Sequence, residues 1–270
     1  MTFRYICWVT IRAVALDIDG TLYPSMGLYL MNFGFGLRHY RRLRAFAKVR
    51  NELHRRSIDP AARPTMPRDL AGFRALQASL LAELVGCEAH EAAVWAEEVM
   101  YGELEDSFDR VRPFPGVEPC LKRFTDAGLR LAALSDFPAP KKLEMLGLRG
   151  FFDLALSSEE SGFLKPAPEP FLAVAEGLGI DPADILYVGN SLRLDVLGAK
   201  TVGMKAALRG KAASMNRARE PYVPRSFDDI ETIAPDLVFS DWADLVEFVL
   251  PGSEDGNAGY HDLGVEPAAQ

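Results

Sequence analysis

The stretch "AVALDIDGTL", residues 13–22, places two carboxylates two positions apart at the end of an apolar run. Four apolar residues followed by Asp17 read as a buried strand whose end carries charge to the edge of a sheet. Like charges at Asp17 and Asp19 repel, so this arrangement is costly unless a cation or a shared proton relieves it. Gly20 and Thr21 then permit a tight turn in which backbone N–H groups face an anion. An isolated D-x-D also occurs in helix-capping turns, so the rest of the chain must decide between the two readings.

Five further short apolar runs end at polar or glycine residues: "RLAALS" at 130, "DLALS" at 153, "DILYVG" at 184, "MKAAL" at 204 and "DLVFS" at 236. Alternating with helical patterns, they predict an α/β fold with a Rossmann-like parallel sheet covered by helices on both faces. Ligands in such sheets bind at the carboxyl ends of the strands. Residues 25–112 break the rhythm. There Leu70, Phe73, Leu76, Leu80, Leu81 and Leu84, then Ala92, Trp95, Ala96, Val99 and Met100, follow helical spacing and predict a helical insert. Pro113, Pro115 and Gly116 mark the return to the sheet. The expected organisation is a core of residues 1–24 and 113–250, an inserted helical domain of residues 25–112, and a disordered tail of residues 251–270 poor in large apolar side chains. The long connection "RGKAASMNRAREPYVPRSFDDIETIAP", residues 209–235, is expected to be partly mobile.

Hydrophobic residues make up 49% of the 270, enough for a sizeable core. A formal charge of −8 argues against nucleic acid and anionic membrane as partners and favours a small molecule. Cys7, Cys87 and Cys120 lie too far apart for a C-x-x-C site and fit a reducing cytoplasm. The apolar N-terminal residues are interrupted by Arg4 and Arg12 and read as a lead-in to the first strand. Nothing in the sequence indicates the oligomeric state.

At the strand ends the chemistry accumulates. A bound Mg2+ would relieve the repulsion of Asp17 and Asp19 through hard oxygen ligands and neutralise phosphate charge as well. Ser135 ends the second apolar run, where its hydroxyl can bind a phosphate oxygen. Lys165, in "FLKPAPEPF", is a compact charge suited to holding phosphate and offsetting the carboxylates. Asn190 and Asp195, in "GNSLRLD", follow the fourth run, where metal ligands are expected.

These four elements, in this order, resemble the haloacid dehalogenase-like (HAD) hydrolase superfamily, whose D-x-D-G-T-[LV] motif matches Asp17 to Leu22. The resemblance covers about residues 13–208. It implies a HAD core with an α-helical C1 cap over residues 25–112, and a Mg2+-dependent phosphatase acting on a small phosphorylated metabolite such as a nucleotide or sugar phosphate. Asp17 would attack phosphorus to form an aspartyl-phosphate. Asp19 would protonate the leaving oxygen and later activate water. Ser135 and Lys165 would position the phosphoryl oxygens, aided by Gly20, Thr21 and Asp136. The metal would be held by Asp17, the backbone carbonyl of Asp19, and Asn190 or Asp195. Family members that cleave carbon–halogen bonds lack an acid at the position of Asp19, which favours phosphate esters. The family commonly has Asp where this chain has Asn190, whose carbonyl oxygen still ligates a hard cation but brings no charge. The alternatives are a phosphomutase using the same phosphoaspartate and a phosphate-binding protein without turnover.

Other features have plainer readings. The basic run Arg38, Arg41, Arg42, Arg44, Lys48, Arg50, Arg55 and Arg56 is read as a solvated helix face, with attraction of an anionic substrate as the second reading. His39, His54, His90 and His261 lack metal-ligand spacing and are assigned to surface or helix packing. Tyr29, Phe33 and Phe35 are assigned to packing of the helical insert, with a pocket lining as the alternative. Asp136 is also expected to orient its loop.

Overall fold

In a computed structural model the described residues are 11–24, 33–103, 111–210 and 234–252. The expectations about the N-terminal lead-in, Tyr29, the side chains of Phe33 and Phe35, most of the long connection, the tail and His261 fall outside what is described. All six apolar runs form strands: β1 Ala13–Leu16, β2 Arg130–Ser135, β3 Leu154–Ser157, β4 Ile185–Gly189, β5 Lys205–Arg209 and β6 Leu237–Phe239. They make one parallel sheet in the order β3-β2-β1-β4-β5-β6. The register sets Leu16 of β1 beside Ala133 of β2 and Val188 of β4, so the residues that follow these strands meet at one edge. Chain order reverses beside β1, where open α/β sheets hold their ligands.

Alternation along the strands feeds two buried layers. Val14, Leu16, Leu131, Ala133, Leu186 and Val188 pack on one face against helices α4 (Val117–Asp126) and α7 (Trp242–Val249). Ala13, Ala15, Ala132, Leu134, Ile185 and Tyr187 pack on the other against Phe171, Val174 and Leu178 of α6 (Pro168–Leu178). Both faces are covered, which is why these strands read as continuous apolar runs.

Between β1 and β2 the described chain is helical: α1 Phe33–Ile58, α2 Leu70–Val85 and α3 Ala89–Trp95, the last continuing as a wider helix over Ala96–Glu103. Asp69 caps α2 by accepting the Gly72 N–H at 2.7 Å, and Gly86 ends it in the left-handed conformation. Phe46, Val49, Leu53, Phe73, Leu81, Trp95 and Val99 form a third core cluster that includes Phe163, Leu164 and Ala167 of the sheet domain. The insert's core is thus continuous with the loop that carries Lys165. Leu70 and Leu84, at the ends of the predicted stripe, are exposed. Arg38, Arg41, Arg42, Arg44, Lys48 and Arg55 face solvent as expected of the basic run, but Arg50 is buried and departs from that reading. Among the described residues no single helix is long and apolar enough to cross a membrane.

Candidate active site

The site is built at the carboxyl ends of β1, β2 and β4 and on the segment that leads into α6. After β1 the chain turns sharply, with the N–H groups of Thr21 and Leu22 on the Ile18 carbonyl at 3.3 and 3.0 Å. Gly20 holds the turn at φ 83°, a conformation that a side chain would strain. Asp17 is buried; one of its oxygens accepts the Thr21 hydroxyl at 2.7 Å and the other the Lys165 ammonium at 2.8 Å. Lys165 Nζ also reaches Asp195 Oδ1 at 2.7 Å and the Tyr187 hydroxyl at 3.3 Å.

Asp19 has a separate set of partners. Tyr23 donates to its Oδ1 and Ser135 Oγ to its Oδ2 at 2.8 Å. Lys142, from helix α5 (Pro140–Met145), binds both oxygens at 2.9 and 2.7 Å. The repulsion raised by the sequence is therefore resolved by two lysines, one for each carboxylate. Their effects differ. Burial pushes the Asp17 carboxyl up to about 7, with Lys165 opposing the rise and Asp195 and Asp19 adding to it. Burial would raise Asp19 as well, but Lys142, with the hydrogen bonds from Tyr23 and Ser135, brings it below the usual carboxylate range. Burial likewise works against the Lys165 ammonium, and Asp17 and Asp195 overcome it and hold the group well above its ordinary value.

The loop after β4 is organised around Asp195. Its Oδ2 accepts the N–H groups of Asn190 and Ser191 at 3.1 and 2.9 Å. A Cβ on Gly189 would lie 2.3 Å from the Asp195 carboxyl carbon, so glycine is required for this approach. With Lys165 on Oδ1 as well, the Asp195 carboxylate is engaged by the chain itself. Asn190 Nδ2 instead donates to the Asp19 backbone carbonyl at 3.1 Å, at the mouth of the site. Turning that amide about its last torsion offers Oδ1 in place of Nδ2. Among the described residues no group of three or more His, Cys, Asp and Glu side chains is placed to hold a metal. The oxygens at hand are the Asp17 and Asp195 carboxylates, both also hydrogen-bonded within the chain, the Asp19 backbone carbonyl and the Asn190 amide, a hard donor set that suits Mg2+.

Asp136 is turned toward the helical insert. Its Oδ1 accepts the Lys165 N–H at 3.3 Å, and its Oδ2 lies 3.5 Å from His54 Nε2, while His54 Nδ1 donates to the Lys165 carbonyl at 2.7 Å. Against the raising effect of burial, His54 and Lys165 lower the Asp136 carboxyl; burial lowers His54. Asp136 thus ties together the loops that carry Ser135 and Lys165. One face of α1 grips both loops: Arg50 donates to the Asp136 carbonyl, His54 to the Lys165 carbonyl, and Ser57 Oγ accepts the Leu164 N–H at 3.0 Å. Arg50 also pairs with the fully buried Glu159, which Arg74 of α2 and Tyr101 bind as well.

Sequence reasoning passed over Lys142, Tyr23 and Glu159, and assigned Arg50 to the surface. One signal is present. Arg50 lies on the same helical stripe as Phe46, Val49 and Leu53.

The haloacid dehalogenase-like hydrolase family model matches residues 11–203, and a HAD-hydrolase-like one matches residues 163–245. Glyceraldehyde 3-phosphate phosphatase from Methanopyrus kandleri is 30% identical over 241 residues, spanning 82% of this chain and 91% of that protein. (S)-2-haloacid dehalogenase from Xanthobacter autotrophicus is 30% identical over 182 residues, 61% of this chain and 68% of that one. The solved structure of L-2-haloacid dehalogenase from Xanthobacter autotrophicus shares the fold, with a TM-score of 0.59 and 23% identity over 90% of this chain and all of that one (100%).

Proposed function

The chain belongs to the haloacid dehalogenase-like hydrolases, and from that premise we propose that it is a Mg2+-dependent phosphatase acting on a small phosphate monoester through an aspartyl-phosphate at Asp17. The observation that carries this reading is the separate pairing of the two carboxylates, Asp17 with Lys165 and Asp19 with Lys142 and Ser135. It gives the two carboxylates separate partners, so that one can attack phosphorus while the other moves protons. The phosphatase relative supports the substrate class, whereas the dehalogenase relative shares the scaffold. Asp19 favours the phosphatase, because an alkoxide leaving group needs a proton and a halide does not.

In this reading an Asp17 oxygen forms a bond to phosphorus as the bond to the ester oxygen breaks, and Asp19, ionised in the free site, gives that oxygen a proton it takes from the bound ester monoanion. The Asp19 carboxylate then takes a proton from water, whose oxygen attacks phosphorus and breaks the bond to Asp17. That proton leaves with the product phosphate, and Asp19 is again ionised. Lys165 and Ser135 hold phosphoryl oxygens beside the turn at Gly20, whose Thr21 N–H is already bonded to the Ile18 carbonyl. Asp17, the Asp19 carbonyl and Asn190 would hold Mg2+, which when bound offsets the negative charge of the phosphate and the two carboxylates. Asp195 serves by ordering the Asn190 loop and Lys165. Helices α1 to α3, inserted between β1 and β2, act as the lid that excludes water and reads the substrate beyond its phosphate.

Release of inorganic phosphate from p-nitrophenyl phosphate and a panel of metabolite esters, with and without Mg2+, tests the proposal. Asp17→Asn will abolish turnover while the fold persists by circular dichroism. Hydrolysis that survives this substitution would remove Asp17 as the nucleophile.

A further inference from the structure

We propose that Lys142 is a positioning residue that keeps the Asp19 carboxylate aimed at the leaving oxygen while phosphate occupies the site. The inference rests on the phosphatase reading above. Lys142 is buried, and its Nζ sits 2.9 and 2.7 Å from the two Asp19 oxygens and 3.4 Å from Ser135 Oγ. The Phe137 ring lies 5.2 Å from the ammonium and stacks on Phe46 of α1 at 6.3 Å. Lys142 therefore contacts both the residue it directs and an aromatic pair that continues into the helical insert.

The need for Lys142 follows from counting protons on Ser135. A serine hydroxyl has one proton to donate, and here it goes to Asp19 Oδ2. When Ser135 turns to a phosphoryl oxygen, Asp19 loses that bond and keeps Tyr23 on Oδ1 and Lys142 on both oxygens. Tyr23 alone fixes one oxygen and leaves the carboxylate free to rotate about it. A two-point, charge-assisted contact fixes the plane of the carboxylate as well. Lys165 cannot substitute, since its ammonium is engaged by Asp17 and Asp195.

The test is a leaving-group series, from p-nitrophenyl phosphate, whose phenolate departs without protonation, to alkyl phosphates, whose alkoxides need it. Wild type, Asp19→Asn, Lys142→Met and Lys142→Arg are compared at saturating Mg2+ by kcat/KM, which reports transfer of the phosphoryl group to Asp17 and leaves out the later hydrolysis shared by all esters. The expected result is that Lys142→Met lowers kcat/KM for alkyl esters at least about tenfold more than for the nitrophenyl ester, a fraction of the usual worth of general acid catalysis. KM stays within about twofold, the pattern of a lost transition-state interaction. Lys142→Arg recovers part of the alkyl-ester rate; if the methionine variant fails to fold, Lys142→Gln, which removes the charge and keeps a polar group in the site, replaces it and is expected to show the same selective loss. An equal loss across the series overturns the proposal, and so does a rise in KM at constant kcat. If Asp19→Asn spares the alkyl esters, the acid role itself falls. If it selectively abolishes them and Lys142→Met does not, only the role of Lys142 falls.

Discussion

Replacing Glu159 with glutamine tests whether buried charge joins the helical insert to the sheet domain. The Glu159 side chain is fully buried, 0% exposed, and accepts Arg50 Nη1 at 2.5 Å, Tyr101 at 2.9 Å and Arg74 Nε at 2.8 Å. Glutamine retains one acceptor and turns an NH2 toward a guanidinium donor. Tyr101 can redirect its hydroxyl to Gln77, and Arg74 keeps Glu97. Arg50, with a side chain only 8% exposed, loses its paired carboxylate. Breaking a buried pair in this way costs roughly 3–5 kcal/mol. At about 2–4 °C per kcal/mol for a chain of this size, the melting temperature falls by roughly 6–20 °C. Urea unfolding followed by circular dichroism measures the loss directly. Adding Arg50→Met recovers a substantial part of it, because no buried charge is then unpaired. A loss below about 1 kcal/mol in Glu159→Gln, within the range of an exposed ion pair, would refute the argument.

Three more outcomes follow from the site. In EDTA, the raised Asp17 carboxyl binds a proton in the folded chain that the unfolded chain releases near its ordinary pKa of 3.8, so stability falls as pH rises toward about 7. The slope is on the order of 1 kcal/mol per pH unit, read from urea unfolding at several pH values, and Asp17→Asn removes it. Asn190→Asp adds a charged ligand and raises the thermal shift produced by Mg2+, while lowering stability in EDTA through repulsion with Asp17 and Asp19; calorimetric titration with Mg2+ checks the affinity. Gly189→Ala forces a methyl group into the Asp195 carboxylate and costs about 1–3 kcal/mol by urea unfolding.

What could be read from the chain ahead of its structure was local. Every apolar run that ended at a polar residue became a strand, because a strand covered on both faces excludes polar side chains along its whole length. Asp17, Ser135 and Asn190 could be placed at one edge for the same reason: parallel strands in register end together. The partners of these residues were less legible. Lys142 lies 123 residues from Asp19, and Arg50 lies 109 residues from Glu159. No periodicity links positions so far apart, and only their burial shows that they must be paired. Asp195 illustrates the same limit. Its spacing after β4 places a carboxylate at the sheet edge, but does not show that two loop N–H groups and Lys165 bond its oxygens.

The sequence by itself determined the sheet, the edge at which chemistry collects, and the adjacency of Asp17 and Asp19, all set by the alternation of apolar runs and polar termini. Only the tertiary structure decided how that adjacency is tolerated. Two buried lysines from distant segments separate the carboxylates electrostatically, and α1 fastens the loops of Ser135 and Lys165. The physical reason is that hydrophobic patterning acts over a few residues, whereas the pairing of buried charge is settled only when the folded chain brings the partners within hydrogen-bonding distance.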